Sequence, residues 1–212
     1  MNIAKYIVIA SGSKGNAVLI DDVMVDCGVP FNRLKPHLPQ VNYLILTHIH
    51  SDHINKKTLV RIKKLYPRIT VIGNWEVAQE VGVDLIANDL YELPTMDYTF
   101  IPVEVPHDVV CYAYAWVNNR DESILYCTDT SSLENISANL PEMKYDYMFL
   151  ESNHCQHKLE AVRGDGGSLY GYDVYWSGKR HLSTQDAKGF YYTFRRNPEA
   201  KFIELHKSSR FY

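Results

Sequence analysis

Apolar and polar positions along this chain follow two periods, and the changes between them outline its elements. "KYIVIA" (5–10), "AVLI" (17–20) and "VMVDCG" (23–28) are short apolar runs separated by "SGSKGN" and "IDDV". They predict strands joined by tight turns. "VNYLILT" (41–47) is almost continuously apolar, as a central strand covered on both faces is. In "NKKTLVRIKKLYP" (55–67) the period changes: Leu59, Ile62, Leu65 and Tyr66 recur at helical spacing, and Pro67 ends the run. "ITVIG" predicts a further strand and "NWEVAQEVG" a short helix ending at Gly82.

From "YTFIPVEV" through "VVCYAYAWV" to "SILYCTDT" the period is two, which predicts a second set of strands. In the middle run Cys111, Ala113, Ala115 and Val117 alternate with Tyr112, Tyr114 and Trp116. "DYMFLESN" and "KFIEL" are again strand-like. "STQDAKGFYYTFRRN" opens on a Ser/Thr cap and carries Ala187, Phe190, Tyr191 and Phe194 at helical spacing. This order predicts an α/β fold with two sheets inside and helices outside, in preference to one parallel sheet.

Composition narrows the class without naming it. The 212 residues suit a single domain over 1–212, and 46% apolar with 22% charged residues is ordinary for a soluble globular protein. A net charge of −3 gives no global basic field for nucleic acid. No apolar run approaches the roughly 20 residues that cross a bilayer. The N-terminus reads as a strand and turn, not a signal peptide, so a cytoplasmic protein with no membrane partner is expected. Cys27, Cys111, Cys127 and Cys155 are far apart, form no CxxC pair, and read as reduced, mostly buried thiols.

The chemistry concentrates in "LTHIHSDHIN" (46–55). In extended backbone His48 and His50, two apart, point the same way and can face one metal ion. Asp52 and His53 follow as the chain turns into a helix and can reach a second point nearby. Imidazoles and a carboxylate are ligands that borderline divalent ions choose. The bland alternative is a surface loop that happens to be rich in histidine.

"THIHSDH" after an apolar strand resembles the signature of the metallo-β-lactamase fold, and the resemblance covers nearly the whole chain. It implies an αββα sandwich of two mixed sheets flanked by helices, with metals at one edge. It also implies ligands at later strand ends: His107 in "VPHD", Asp129 in "YCTDT" and His206 in "IELHKSS". The implied arrangement is one ion on His48, His50 and His107 and a second on Asp52, His53 and His206. Asp129 and a water lie between them. Two Zn²⁺ ions are the first expectation, and Mn²⁺ or Fe²⁺ also suit an all-N/O ligand set. Asp26, at the end of a strand, is expected to support the ligands by hydrogen bonds, and Asp108 to do likewise.

"SGSKGN", "LESNH" and "RHLSTQDA" resemble the YycJ/WalJ branch of that fold, which is similar in turn to tRNase Z. In tRNase Z-like enzymes a strand-end glutamate and an HST-type histidine cooperate in proton transfer, and Glu151 and His181 match them. The implied catalytic set is Asp52, Glu151 and His181; the plain alternative for His181 is a cap or core hydrogen bond at a helix start. His37, His157 and, by a smaller margin, His154 read as surface histidines.

Two close ions can lower the pKa of a water, orient a phosphodiester and stabilise its leaving oxygen. A lactam or thioester needs the activated water but not the extra Glu–His pair. A phosphodiesterase acting on nucleic acid, of the YycJ-like exonuclease kind, is therefore the leading expectation. The alternative is a cyclic-nucleotide phosphodiesterase like the anti-Pycsar enzymes of phages, which the short chain and acidic charge favour. A binding protein that keeps the fold without the activity is disfavoured by the seven candidate ligands. Members of the fold often pair subunits, so a homodimer is open. Two segments carry rival readings. Lys56, Lys57, Arg61, Lys63, Lys64 and Arg68 either track a nucleic-acid backbone or form the solvated face of a helix. The glycine- and tyrosine-rich stretch 162–180 is either a mobile loop over the site or a surface loop packed on the domain.

Overall fold

The computed structural model describes residues 5–164 and 173–208. One six-stranded sheet runs β1 (Tyr6–Ala10), β2 (Ala17–Ile20), β3 (Val23–Val25), β4 (Tyr43–Leu46), β5 (Thr70–Gly73), β6 (Leu85–Ile86) in that order. The other runs, from the opposite edge, β7 (Leu93–Pro94), β8 (Thr99–Val105), β9 (Cys111–Val117), β10 (Ser123–Cys127), β11 (Tyr147–Glu151), β12 (Lys201–Leu205). Strands joined by short turns pair antiparallel: β1–β2–β3 and β7–β8–β9–β10. β3 through β6 and β10 through β12 pair parallel. Parallel neighbours need crossover connections, which most often carry helices. Here α1 (Phe31–Leu34), α2 (Lys56–Leu65) and α3 (Trp75–Val81) serve the first sheet, and α4 (Glu134–Asn139), α5 (Gln156–Ala161), α6 (Val174–Lys179) and α7 (Thr184–Phe194) the second.

The alternation in β9 explains the layers. Tyr112, Tyr114 and Trp116 pack between the sheets with Val18, Ile45, Phe100 and Phe149. Cys111, Ala113 and Ala115 face the other way, where Ile136 of α4 and Phe190 of α7 close over them. A buried aromatic side chain removes about 150–250 Å² from water, worth about 4–6 kcal/mol at about 25 cal/mol per Å². The row on β9 is therefore a principal reason the sheets stay together. A third layer sets Leu59 and Ile62 of α2 and Val77 of α3 against Leu44, Leu46 and Val71. Leu65 shares their approximate spacing but is 56% exposed. It lies about 120° around the helix from Leu59, off the buried stripe.

Caps fall where the sequence places them. The Asn55 side chain accepts from Thr58 N at 3.0 Å to start α2. Ser183 accepts from Asp186 N at 3.0 Å and donates to the Asp186 carboxylate at 2.7 Å to start α7. Gly82, at φ +66°, ends α3. Three cysteines are buried, Cys155 is half-buried, and all four are free thiols.

The loop after β4 is clamped by its neighbours. Cys27 N donates to His53 O at 2.9 Å, and Asn16 N to Asp52 O at 2.7 Å. Gly28 lies so close that a Cβ built on it would stand 1.7 Å from Asp52 O, a backbone atom that cannot swing away. Gly28→Ala is therefore expected to cost about 1–3 kcal/mol or more in urea denaturation. It should also shift Asp52 and His53, which the displaced backbone carries.

Candidate metal centre

The parallel strands end at one edge, and the sequence puts polar residues at those ends. Thr47, His48, His50, Asp52 and His53 follow β4, Asp26 follows β3, and His107 follows β8. Asp129 follows β10, Glu151 closes β11 and His206 follows β12. Three of these turn sharply as they leave the strand. Asp26 (φ +62°), Asp129 (φ +53°) and His206 (φ +53°) adopt left-handed backbone, although none is glycine. Such residues cost of order 1–3 kcal/mol each and persist where surrounding structure over-determines them.

All seven residues expected as ligands converge. Ligand atoms of His48, His50 and His107 form one cluster, those of Asp52, His53 and His206 a second, and those of His48, His53 and Asp129 a third joining the two. Within each, the atoms lie within 4.8 Å of one another. His48 Nε2 is 3.2 Å from His50 Nδ1, which is 3.3 Å from His107 Nε2. Bonds of about 2.0–2.1 Å to a tetrahedral ion set ligand nitrogens about 3.3 Å apart, so this triplet fits one ion. Around the second cluster Asp129 Oδ2 is 2.9 Å from His53 Nε2, and Asp129 Oδ1 is 3.6 Å from His206 Nε2. Asp52 Oδ2 is 3.7 Å from His53 Nε2.

The hydrogen bonds support the same reading. The Thr47 hydroxyl donates to Asp26, so its oxygen can accept from His48 Nδ1 at 3.0 Å, leaving His48 Nε2 as the lone-pair nitrogen. Asp26 Oδ2 accepts from His53 Nδ1 at 2.7 Å and turns His53 Nε2 inward. There Nε2 meets Asn16 Nδ2 at 2.8 Å and the Asp129 carboxylate at 2.9 Å. The Asn16 amide is oriented by Gly12 N donating to its Oδ1 at 2.7 Å. The 2.9 Å approach of Nε2 to the carboxylate oxygen is satisfied by a proton on Nε2 or by a cation held between His53 and Asp129. His206 Nδ1 donates to Glu151 Oε1 at 3.1 Å, and the buried His206 Nε2, facing Asp129, makes no hydrogen bond.

Electrostatics follow from this crowding. Burial lowers the His48 and His107 pKa values and keeps both imidazoles neutral, the form that binds metals. Burial also opposes charge on His53, but Asp26 and Asp129 outweigh it and hold its pKa well above the ordinary value. The same balance raises His206 to about 9, through Glu151 and Asp129. His53 and His206 in turn overcome burial at Asp129 and hold that carboxyl well below its usual range. Asp26→Asn should weaken metal affinity about 10–100-fold in a competition titration, the usual cost of losing such a backing carboxylate.

Glu151 and His181 form a pair beside this centre. Glu151 is fully buried, and His181 Nδ1 donates to its Oε1 at 2.6 Å. Oε2 accepts from the backbone of Thr130 at 2.9 Å and Leu182 at 3.2 Å. His181 Nδ1 is also 3.7 Å from Asp129 Oδ1. Burial disfavours charge on both, but their mutual attraction wins, lowering the Glu151 pKa and raising that of His181. Ser183, not His181, caps α7.

Other expectations fare differently. Asp26 hydrogen-bonds the outer nitrogen of His53, as anticipated. Asp108 does not stand behind His107, since its Oδ1 lies 3.1 Å from Nε2, the nitrogen that faces the cluster; the same oxygen is 3.5 Å from the outer Nε2 of His50, and Oδ2 is 3.5 Å from Arg180. His154, expected at the surface, is 3% exposed because its backbone pairs with Ser183 and draws it under the chain. His157 is exposed and His37 half-buried. On the basic segment, Lys56 pairs with Glu80, Lys63 donates to Val81 O and Gly82 O, Arg68 to Pro39 O, and Arg61 stacks on Phe31. These contacts favour the solvated-face reading. In 162–180 the end is helical, as α6, with Tyr175 buried against Leu159. Tyr170 and Tyr172 of that stretch lie outside the described residues.

Asn16 and Thr47 stand inside the motifs, but their roles emerge only in the folded chain. Asn16, 1% exposed, links the "SGSKGN" turn to His53, and Thr47 joins Asp26 to His48. Among the described residues, no helix is long and apolar enough to cross a membrane.

No protein-family model matches the chain, and no curated protein does. Solved structures are similar in shape. Human tRNase Z, short form, aligns at TM-score 0.70 and 12% identity over 97% of this chain and 93% of its own. The metallo-β-lactamase fold protein YhfI from Bacillus subtilis aligns at 0.68 and 18%, over 97% and 86%. A diphosphatase from the PhnP family aligns at 0.65 and 17%, over 97% and 87%. Two six-stranded mixed sheets, helices on both outer faces and these superpositions lead to one conclusion: the chain has the metallo-β-lactamase fold.

Proposed function

We propose that the protein is a dinuclear metal-dependent phosphodiester hydrolase acting on nucleic acid. His48, His50 and His107 would hold one ion, and Asp52, His53 and His206 the other, with Asp129 between them. The observation that carries the reading is the contact of a buried Glu151 with both His206 and His181, at 3.1 and 2.6 Å. It joins a proton-handling pair to the metal cluster through one carboxylate. Bound ions supply a water of lowered pKa and offset the negative charge with which a phosphodiester resists attack.

The chain's own groups do the rest. Glu151 orients His181 and favours its protonated form. His181 can then hold its remaining ring proton, on Nε2, toward a leaving oxygen and deliver it as that oxygen departs. The side chain is 19% exposed, enough to meet substrate from the cavity it lines. The folds of a tRNase Z and of a PhnP-family diphosphatase are consistent with this class.

The test is a substrate panel with Mn²⁺ or Zn²⁺: single-stranded DNA, and cyclic CMP and UMP. Products from DNA support the proposal. Turnover confined to cyclic nucleotides would move the assignment to a cyclic-nucleotide phosphodiesterase, and turnover of neither would overturn the phosphodiesterase reading.

A further inference from the structure

We propose that the cavity beside His181 and His206 is a subsite for a second phosphate of the substrate, with Lys14 as its main contact. The inference rests on the phosphodiesterase reading and narrows it to substrates carrying at least two phosphates.

The cavity measures about 570 Å³, in the roughly 300–1,000 Å³ range of small-ligand sites. It meets the centre at His206 and His181, not at the His48–His50–His107 end. Lys14, Arg33 and Lys207 line it, together with serines, and no aspartate or glutamate does among the described residues. In a chain of net charge −3 this is a local reversal of sign that selects an anion. Among the described residues no Phe, Tyr or Trp lines it either. Phosphate is the part of a nucleotide these walls recognise.

The loop that carries Lys14 is built to hold position. Gly12 (φ +132°) and Gly15 (φ +136°) take backbone that other residues avoid, and a Cβ on Gly15 would stand 2.7 Å from Gly28 O. Asn16 clasps Gly12 through two hydrogen bonds and reaches His53 with the same amide. At the other end Ser11 Oγ accepts from His206 N at 2.6 Å. The loop is thus tied to two proposed ligands of the second ion, which fixes the offset between a phosphate on the loop and one at the metals. Of the three cations, Lys207 donates to Glu204 at 2.6 Å and Arg33 to the Ile9 carbonyl, while exposed Lys14 has no acidic partner among the described residues. A cyclic mononucleotide has one phosphate and leaves this wall unused; a strand brings the next phosphate to it.

The test compares wild type with Lys14→Gln, a surface change that leaves the loop glycines and Asn16 in place. Binding of fluorescein-labelled pentathymidylate to the metal-free protein is followed by anisotropy between 50 and 200 mM salt. The variant should bind about tenfold more weakly, as when a charge-assisted contact is lost. Its log Kd against log salt slope should fall by about 0.7, one phosphate contact on a single strand. With metal supplied, its KM for pentathymidylate should rise more than its KM for bis(p-nitrophenyl) phosphate, which has one phosphate. An unchanged slope and affinity, or equal rises in both KM values, would overturn the subsite. A wild type that cleaves neither substrate, yet loses salt slope on Lys14→Gln, would keep the subsite and remove the phosphodiesterase reading.

Discussion

Replacing His181 with alanine is expected to lower kcat on a phosphodiester by about 10²- to 10⁴-fold, the usual worth of a positioned general acid. Metal content and the thermal midpoint should change little. Glu151 keeps its other three donors in that variant: His206 Nδ1 and the amides of Thr130 and Leu182. Substrates with a good leaving group, such as a p-nitrophenyl ester, should suffer less, because a weakly basic phenolate needs little protonation. A purely structural role for His181 would reduce all substrates alike. Glu151→Gln is a less clean change: every hydrogen-bonding neighbour of this carboxylate is a donor, so an amide NH₂ must face one of them. That variant should lose stability as well as activity.

The second large effect is expected from Asp129→Ala. Asp129 lies within 2.9 Å of His53 and 3.6 Å of His206, and its ligand oxygen also clusters with His48. Without it, these three imidazoles surround a point that has lost its negative charge. Turnover should fall by at least about 10³-fold, or about 4 kcal/mol. Bound metal should drop with it, read by elemental analysis after dialysis. Full turnover in this variant would remove Asp129 from the role proposed for it.

What the sequence discloses follows from how local each feature is. His48, His50, Asp52 and His53 were legible together because one loop carries them. His107, Asp129 and His206 are single residues scattered over a hundred positions, and only a resemblance could order them. The β9 layers were legible because period two fixes which side chains share a face. The short helices α1, α4, α5 and α6 were not, since four to six residues are too few for a helical period to emerge. β6 and β7, two residues each, carry no alternation at all. The left-handed turns at Asp26, Asp129 and His206 fall on residue types that favour such backbone, but residue type alone does not single out these three among the chain's other Asp and His. The burial of His154 is tertiary: it comes from a bridge to Ser183, 29 positions away.

The central claim is that these strand ends assemble a two-metal site. The most direct measurement is the metal stoichiometry of the purified chain after equilibration with Zn²⁺ and removal of excess. Two tightly held equivalents per chain are predicted, and a chain that retains one equivalent or none contradicts the account.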